Sequence, residues 1–237
     1  MLPWQVAFLS TQGGAAGTMP TFGSVVFDTV SPFSVTLPAA IESGDLLIAF
    51  QYASLDTPGA HAEPTGVDFT AASFGPDFQN NGTSTTRDGQ LTCWTRICDG
   101  SEDSATVSFS ETGSHLCGVL HVQDQDPSTP IESAAVTSDN TTADISVPTV
   151  TATQDNSLAL LIAGYSNDIG YPASLTGGSG SDYTLEDSAA TASGGDRAVA
   201  IYTAPISSAG SISGKSGTVT SVTSDAHIQR AFVLRPS

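Results

Sequence analysis

The stretch SVTLPAAIESGDLLIAFQYAS, residues 34–54, has a counterpart in SVPTVTATQDNSLALLIAGYS, residues 146–166. In both, a polar–apolar alternation runs into a proline, at Leu37-Pro38 and at Val147-Pro148. A short polar connection follows, then an uncharged run containing Leu-Leu-Ile-Ala, at 46–49 and at 160–163. Alternation with period two marks a strand with one buried face, and a short continuous apolar run marks a strand covered on both. The parallel extends outward. Each copy leads into a long Gly-, Ser-, Asn- and Asp-rich region (55–88 and 167–196). An aromatic strand follows (CWTRI, 93–97; AIYTA, 200–204), then a closing strand (HLCGVLHV, 115–122; HIQRAFVL, 227–234).

Two copies offset by about 110 residues are neither a solenoid nor a propeller. Two strand sets, each with a face to bury, are expected to pack on one another. Further strands read at SVVFDTV (24–30), FSVTL (33–37), ATVSFSE (105–111) and ADISVPTV (143–150), and no amphipathic helix of three turns is found. The fold expected is all-β: an antiparallel β-sandwich of jelly-roll type, with two weakly similar halves and an N-terminal arm. The arm spans 1–23 and a single domain spans 24–237, its halves falling at about 24–123 and 143–235. The stretch 124–142 reads as the connection between them. One domain is favoured because a loop-rich half of this size would have a thin core.

Hydrophobic residues are 39% of the chain, enough for a core, whereas charged residues are only 13%, so Ser, Thr, Asn, Gln and Gly must supply most of the polar surface. There are 24 Asp and Glu against 6 Lys and Arg, a formal charge of −18, and Lys215 is the only lysine. Such a surface repels phosphate backbones and anionic bilayers, so neither nucleic acid nor membrane is an expected partner. The scattered carboxylates read as a self-repelling, soluble surface or as adaptation to salty water. Cys93, Cys98 and Cys117 are an odd set without a Cys-x-x-Cys, which points to buried free thiols. MLPWQVAFLSTQGG has no basic start and its apolar run is broken, so no signal peptide is read. Synthesis in a host cytoplasm is expected.

VTLPAAIESGDLLIAF (35–50), an aromatic strand with an arginine, SVPTVTATQDNSLALLIA (146–163) and AHIQRAFVLRPS (226–237) together resemble a class of virion structural proteins of tailed bacteriophages: capsid decoration and tail accessory proteins. The resemblance covers residues 24–237 and its motifs are low in specificity. It implies a jelly-roll-like sandwich on a capsid surface, tail part or fibre, and it brings no catalytic residues.

The candidate sites are few. DGSED (99–103) and QDQD (123–126) gather Asp99, Glu102, Asp103, Asp124 and Asp126 in loops, where carboxylate oxygens could hold calcium, though neither run has the spacing of a calcium loop. His115 and His121 share one strand and point the same way, which makes a metal pair conceivable. SGKSG (213–217) lacks the spacing of a phosphate loop, and GGSGSD lacks the last glycine of a serine nucleophile elbow. Trp94 and Tyr202 sit on matching strands and read as core. Tyr171 and Tyr183 lie in the second long region and are the candidates for contact with a partner or a glycan.

No catalytic residue or cofactor is assigned. The function expected is non-enzymatic: a capsid decoration or cement protein on the virion surface. Its expected partners are the major capsid protein or other virion proteins and copies of itself, a trimer by analogy. The alternative is a glycan-binding module, on a tail fibre or as a free lectin. A glycan-cleaving enzyme would need two carboxylates facing each other about 5–10 Å apart.

Overall fold

Among the described residues the alternating stretches fold as seventeen strands. In the computed structural model, residues 17–55, 61–79, 88–110, 115–139, 142, 144–167, 170–191, 197–220 and 226–237 are described. The first half comprises β1 (Thr21–Asp28), β2 (Ser34–Thr36), β3 (Leu46–Leu55), β4 (Thr70–Gln79), β5 (Asp88–Ile97), β6 (Thr106–Ser108) and β7 (His115–Gln123). The second comprises β8 (Ile131–Asp139), β9 (Asp144–Ser146), β10 (Val150–Ala152), β11 (Ser157–Tyr165), β12 (Ser174–Leu175), β13 (Tyr183–Ala190), β14 (Ala198–Ile206), β15 (Gly210–Ile212), β16 (Ser216–Thr218) and β17 (His227–Leu234). No helix among the described residues is long and apolar enough to cross a membrane.

Both halves use one strand order. The first large sheet runs β1-β7-β3-β5-β4, and the second runs β8-β17-β11-β14-β13, with β12 beyond β13. The strands pair antiparallel throughout. Small two-stranded sheets accompany them: β2–β6 in the first half, β9–β16 and β10–β15 in the second. The closing strand thus lies between β1 and β3 in the first half and between β8 and β11 in the second.

Three apolar layers follow from this arrangement. On β3, Leu46, Ile48, Phe50 and Tyr52 face Leu158, Leu160 and Ile162 of β11 in the layer between the large sheets. The alternate residues Leu47 and Ala49 pack under β2–β6 with Phe33, Val35, Trp94 and Val107. In the second half Ala159, Leu161 and Tyr165 pack with Ile145, Val150, Tyr202 and Ile212, beneath the two small sheets. A strand covered on both faces needs apolar residues at every position, which accounts for the continuous runs on β3 and β11. Each Leu or Ile so enclosed contributes about 1.5–3 kcal/mol. The three cysteines are buried and free, and burial pushes the Cys93 thiol up to about 12.

The turn before β3 uses Gly44 at φ 99°, a conformation glycine adopts without steric cost. Asp45 then closes it, accepting hydrogen bonds from the Glu42 amide (2.9 Å) and from His121 Nε2 (2.7 Å).

The halves are joined across their faces. The Tyr52 hydroxyl donates to Ala226 O (3.1 Å) and shares a hydrogen bond with Ser166 Oγ (2.9 Å). At one edge β4 lies against β8 and β17. There Arg230 donates to Asp77 Oδ2 through Nε (2.7 Å) and through Nη2. The guanidinium also sits 5.8 Å from the centre of the Phe74 ring, which packs edge-on against Phe232.

The structure shifts several boundaries. β1 starts at Thr21, so the last residues of the expected arm belong to the sheet; residues 1–16 lie outside the described residues. The second half starts at Ile131, because β8 occupies much of the stretch read as a connection. The long regions 55–88 and 167–196 return edge strands, β4 and β12–β13. The repeat is also offset by two residues. Leu46 lies opposite Val122 and Leu158 opposite Leu234, so Leu158, not Leu160, holds the place of Leu46. A slip of two keeps every side chain on its face, so the sequence match still aligned like with like.

Candidate functional site

Asp99 and Glu102 come together around a guanidinium, while Asp103 is held by a backbone amide. Arg96, on β5, donates from Nε to Glu102 (2.9 Å) and from Nη2 to Asp99 (2.9 Å). Glu102 is only 3% exposed and also takes the amides of Asp99 (3.2 Å) and Gly100 (3.0 Å). Asp99 Oδ1 accepts from the hydroxyl (2.5 Å) and amide (3.0 Å) of Ser101, which hold its carboxyl below the usual range. Asp103 accepts from the Ile41 amide (2.5 Å). Arg96 thus takes the place a cation would take, and the carboxylates shape the turn. Beside it lies a cavity of about 230 Å³ lined by Asp68, Arg96, Ser101 and Glu102 among others.

The other acidic pair is equally committed to the backbone. Asp126 Oδ1 accepts from the amides of Ser128 (2.8 Å) and Thr129 (3.2 Å), and Oδ2 from the Thr129 hydroxyl (2.9 Å). Those bonds hold its carboxyl low. Asp124, at φ 61°, accepts from Thr21 Oγ1 (3.3 Å). Among the described residues no group of three or more His, Cys, Asp or Glu side chains could hold a metal ion.

The tyrosines singled out in the sequence turn inward. Tyr183 opens β13 and is fully buried in the second-half core. Tyr171 is half-buried against the same core, donates to Ala163 O (3.0 Å) and meets the Tyr202 ring edge-on at 6.5 Å. The Tyr183 ring is enclosed and has no face free for a sugar, whereas Tyr171 keeps part of its surface exposed. Trp94 and Tyr202 are core residues, as their matching strands suggested. Lys215, in the former phosphate-loop candidate, is 3% exposed and donates to Asp182 (2.7 Å) and Gly180 O (2.8 Å).

His115 and His121 share the face turned toward β2–β6 but sit at opposite ends of β7, roughly 20 Å apart at strand rise. They cannot share a metal. His115 instead joins His61, which the sequence left isolated. Their rings stand 5.7 Å apart and edge-on. Gln51 Nε2 lies 3.0 Å from His115 Nδ1, and Thr92 Oγ1 lies 3.0 Å from His61 Nδ1. Burial, reinforced by His115, pulls His61 down to about 3, so this imidazole is neutral. No local motif announces the cluster, because a strand pairing and a long connection bring its members together. The Asp77–Arg230 pair was missed for the same reason.

A surface cavity of about 470 Å³ lies in the second half. Ser181, Ser207, Ser208 and Ser211 line it between Ile206 and Ile212. Its walls offer hydroxyls and backbone groups and no charge.

Comparison with family models, with curated proteins and with solved structures finds no match for this chain.

Proposed function

We propose that this chain is a non-enzymatic virion structural protein, a decoration or cement protein on the head of a tailed phage. The observation that carries the reading is where the chemistry-bearing residues are used. Arg96, Lys215 and Arg230 are spent on internal ion pairs, and the candidate carboxylates are spent on turns. What the described residues turn outward is sheet and loop surface whose charge is mostly negative. A protein of this build works by burying interface, not by chemistry. The sequence resemblance points the same way. Its partners would be the major capsid protein or another virion protein.

Cryo-EM and mass spectrometry of purified particles test the reading. Hundreds of copies ordered over the shell, and a higher shell disassembly temperature when the protein is added back, are the expected results. Particles that lack the chain would overturn it.

One observation favours glycan binding as the second reading: the hydroxyl-lined cavity around Ser207 and Ser211 suits a polyhydroxylated ligand. A few copies at the tail tip, with adsorption lost on filling that cavity by Ser211→Trp, would move the assignment there.

A further inference from the structure

The four edge strands of the large sheets are not equally protected. Pairing is interrupted between Phe22 and Ser24 in β1, twice within β4, and between Leu185 and Asp187 in β13, whose start is also covered by β12. Such breaks blunt an edge against further pairing. β8 has one irregularity, at its very start, where Glu132 is occupied by the Thr153 amide and hydroxyl. From Ser133 onward it pairs residue by residue with β17; Ser133 Oγ donates to Thr151 O (3.1 Å), and from Ala134 to Ser138 no second strand of the described residues pairs with it. The run Ala134–Ser138 reads AAVTS, with no charge, proline or bulge. Val136, at its middle, is 44% exposed, one of two large apolar side chains so placed among the described residues. A flat, uncharged, open edge is a template for an added strand.

The chain itself holds a segment suited to that edge. No charged side chain precedes Asp28, although the whole chain carries −18. Within that neutral stretch WQVAFLST (4–11) alternates, with Trp4, Val6 and Phe8 on one side, and is linked to the body through QGGAAG (12–17). Where the segment joins the body is also informative. Gly17 O accepts from Asn156 Nδ2 (3.1 Å), Thr18 O from the Ser237 amide (3.3 Å), and Pro130 O from the Arg235 amide (2.9 Å). Gly17 and Thr18 are thus anchored by the C-terminal residues and by Asn156, and the same C-terminal stretch holds Pro130, just before β8. Extended, the first sixteen residues reach about 50 Å, against roughly 30 Å for β8 itself.

We infer that the free edge of β8 is an assembly surface whose occupant is the segment Trp4–Thr11 of a neighbouring copy, added as a strand. Donor and acceptor lie close together on the body, so each copy gives one strand and receives one. The match is between neutral surfaces, which lets molecules of the same high charge approach. The inference concerns the chain alone in solution and does not depend on the virion reading.

The test uses the full chain. Light scattering over a concentration series should show reversible association. Val136→Lys and Phe8→Asp should each raise the concentration of half-association at least about tenfold. Val136→Thr, neutral and of similar size, should leave it in place, which separates a lost edge from a lost fold. A chain carrying both Phe8→Cys and Val136→Cys should form a disulfide between chains under mild oxidation. A wild-type chain that stays monomeric at millimolar concentration overturns the inference. So does a disulfide formed within one chain. Association sensitive to Val136→Lys but not to Phe8→Asp overturns the named occupant and assigns the edge to pairing between two β8 strands.

Discussion

Tyr52 packs, across the two large sheets, on the residue that holds its own place in the other half, and that residue is Gly164. Tyr52 lies opposite Leu116 on β7, and Gly164 lies opposite Ile228 on β17, the second residue of each closing strand. A β-carbon on Gly164 would collide with the Tyr52 ring. Equivalent residues meet in this way at the centre of an isologous dimer interface. Here one is the bulkiest of its layer and the other has no side chain.

The pair should behave as one unit. Tyr52→Ala is expected to cost about 3–5 kcal/mol by leaving a cavity, and Gly164→Ala about 1–3 kcal/mol by overpacking. Combined, they should cost less than the sum by at least about 0.5 kcal/mol, since the smaller residue at 52 makes room at 164. Urea denaturation of the four proteins checks this, and strict additivity would refute the direct contact.

Asp77 and Arg230 tie the edge of one sheet to the other with little water between them; their side chains are 15% and 8% exposed. Asp77→Ala leaves a guanidinium enclosed without its partner and should cost about 3–5 kcal/mol. Adding Arg230→Met should recover most of that. A loss under about 1 kcal/mol for Asp77→Ala would mean that water reaches the pair.

His61 makes the fold sensitive to acid. Its pKa falls from the ordinary 6.5 to about 3 in the folded chain, chiefly by burial. Between those values the unfolded chain binds a proton that the folded chain does not, so stability drops as pH falls from 6.5 toward 3. The slope is about 1.4 kcal/mol per pH unit for one such group. His61→Leu should flatten the stability curve between pH 6 and 4.5, above the range where carboxylates titrate. An unchanged slope in guanidinium titrations would remove His61 as the cause.

Charge should make the fold sensitive to salt with a defined sign. Arg197, Lys215 and Arg230 are buried, Arg96 is paired, and Arg235 donates to Thr129 Oγ1 (3.0 Å). The described surface is thus anionic almost throughout. Raising NaCl from 0.01 to 1 M shortens the screening length from about 30 to 3 Å, so Tm should rise with salt. A Tm that falls would show that the internal ion pairs outweigh the outer repulsion.

What the sequence made legible, and what it did not, follows from burial. β3, β7, β11 and β17 are covered on both faces, so their apolar runs stand out, and the two-residue offset of the repeat did no harm because strand faces alternate. β4, β8 and β13 are edge strands. IESAAVTSD and YTLEDSAA are largely polar because much of their surface stays wet, and β4 carries Gly75 and Pro76. Missing β13 misplaced the candidate site, since Tyr183 read as a loop aromatic only while its strand was unseen. Asp99 and Glu102 were read as ligands for a cation, whereas Arg96, three and six residues before them, sits between them; that Asp103 is taken by the Ile41 amide needed the fold to show.

The shared strand order has an evolutionary corollary. In a dimer of identical chains one codon writes both members of a contact such as that of Tyr52 with Gly164, so a mutation there strikes twice. Once two copies are joined in tandem, the codons part company, and a large residue can be matched by a small one. Duplicated halves that pack face to face should diverge first where they touch, and inheritance is then better preserved in hydrogen-bonding order than in letters.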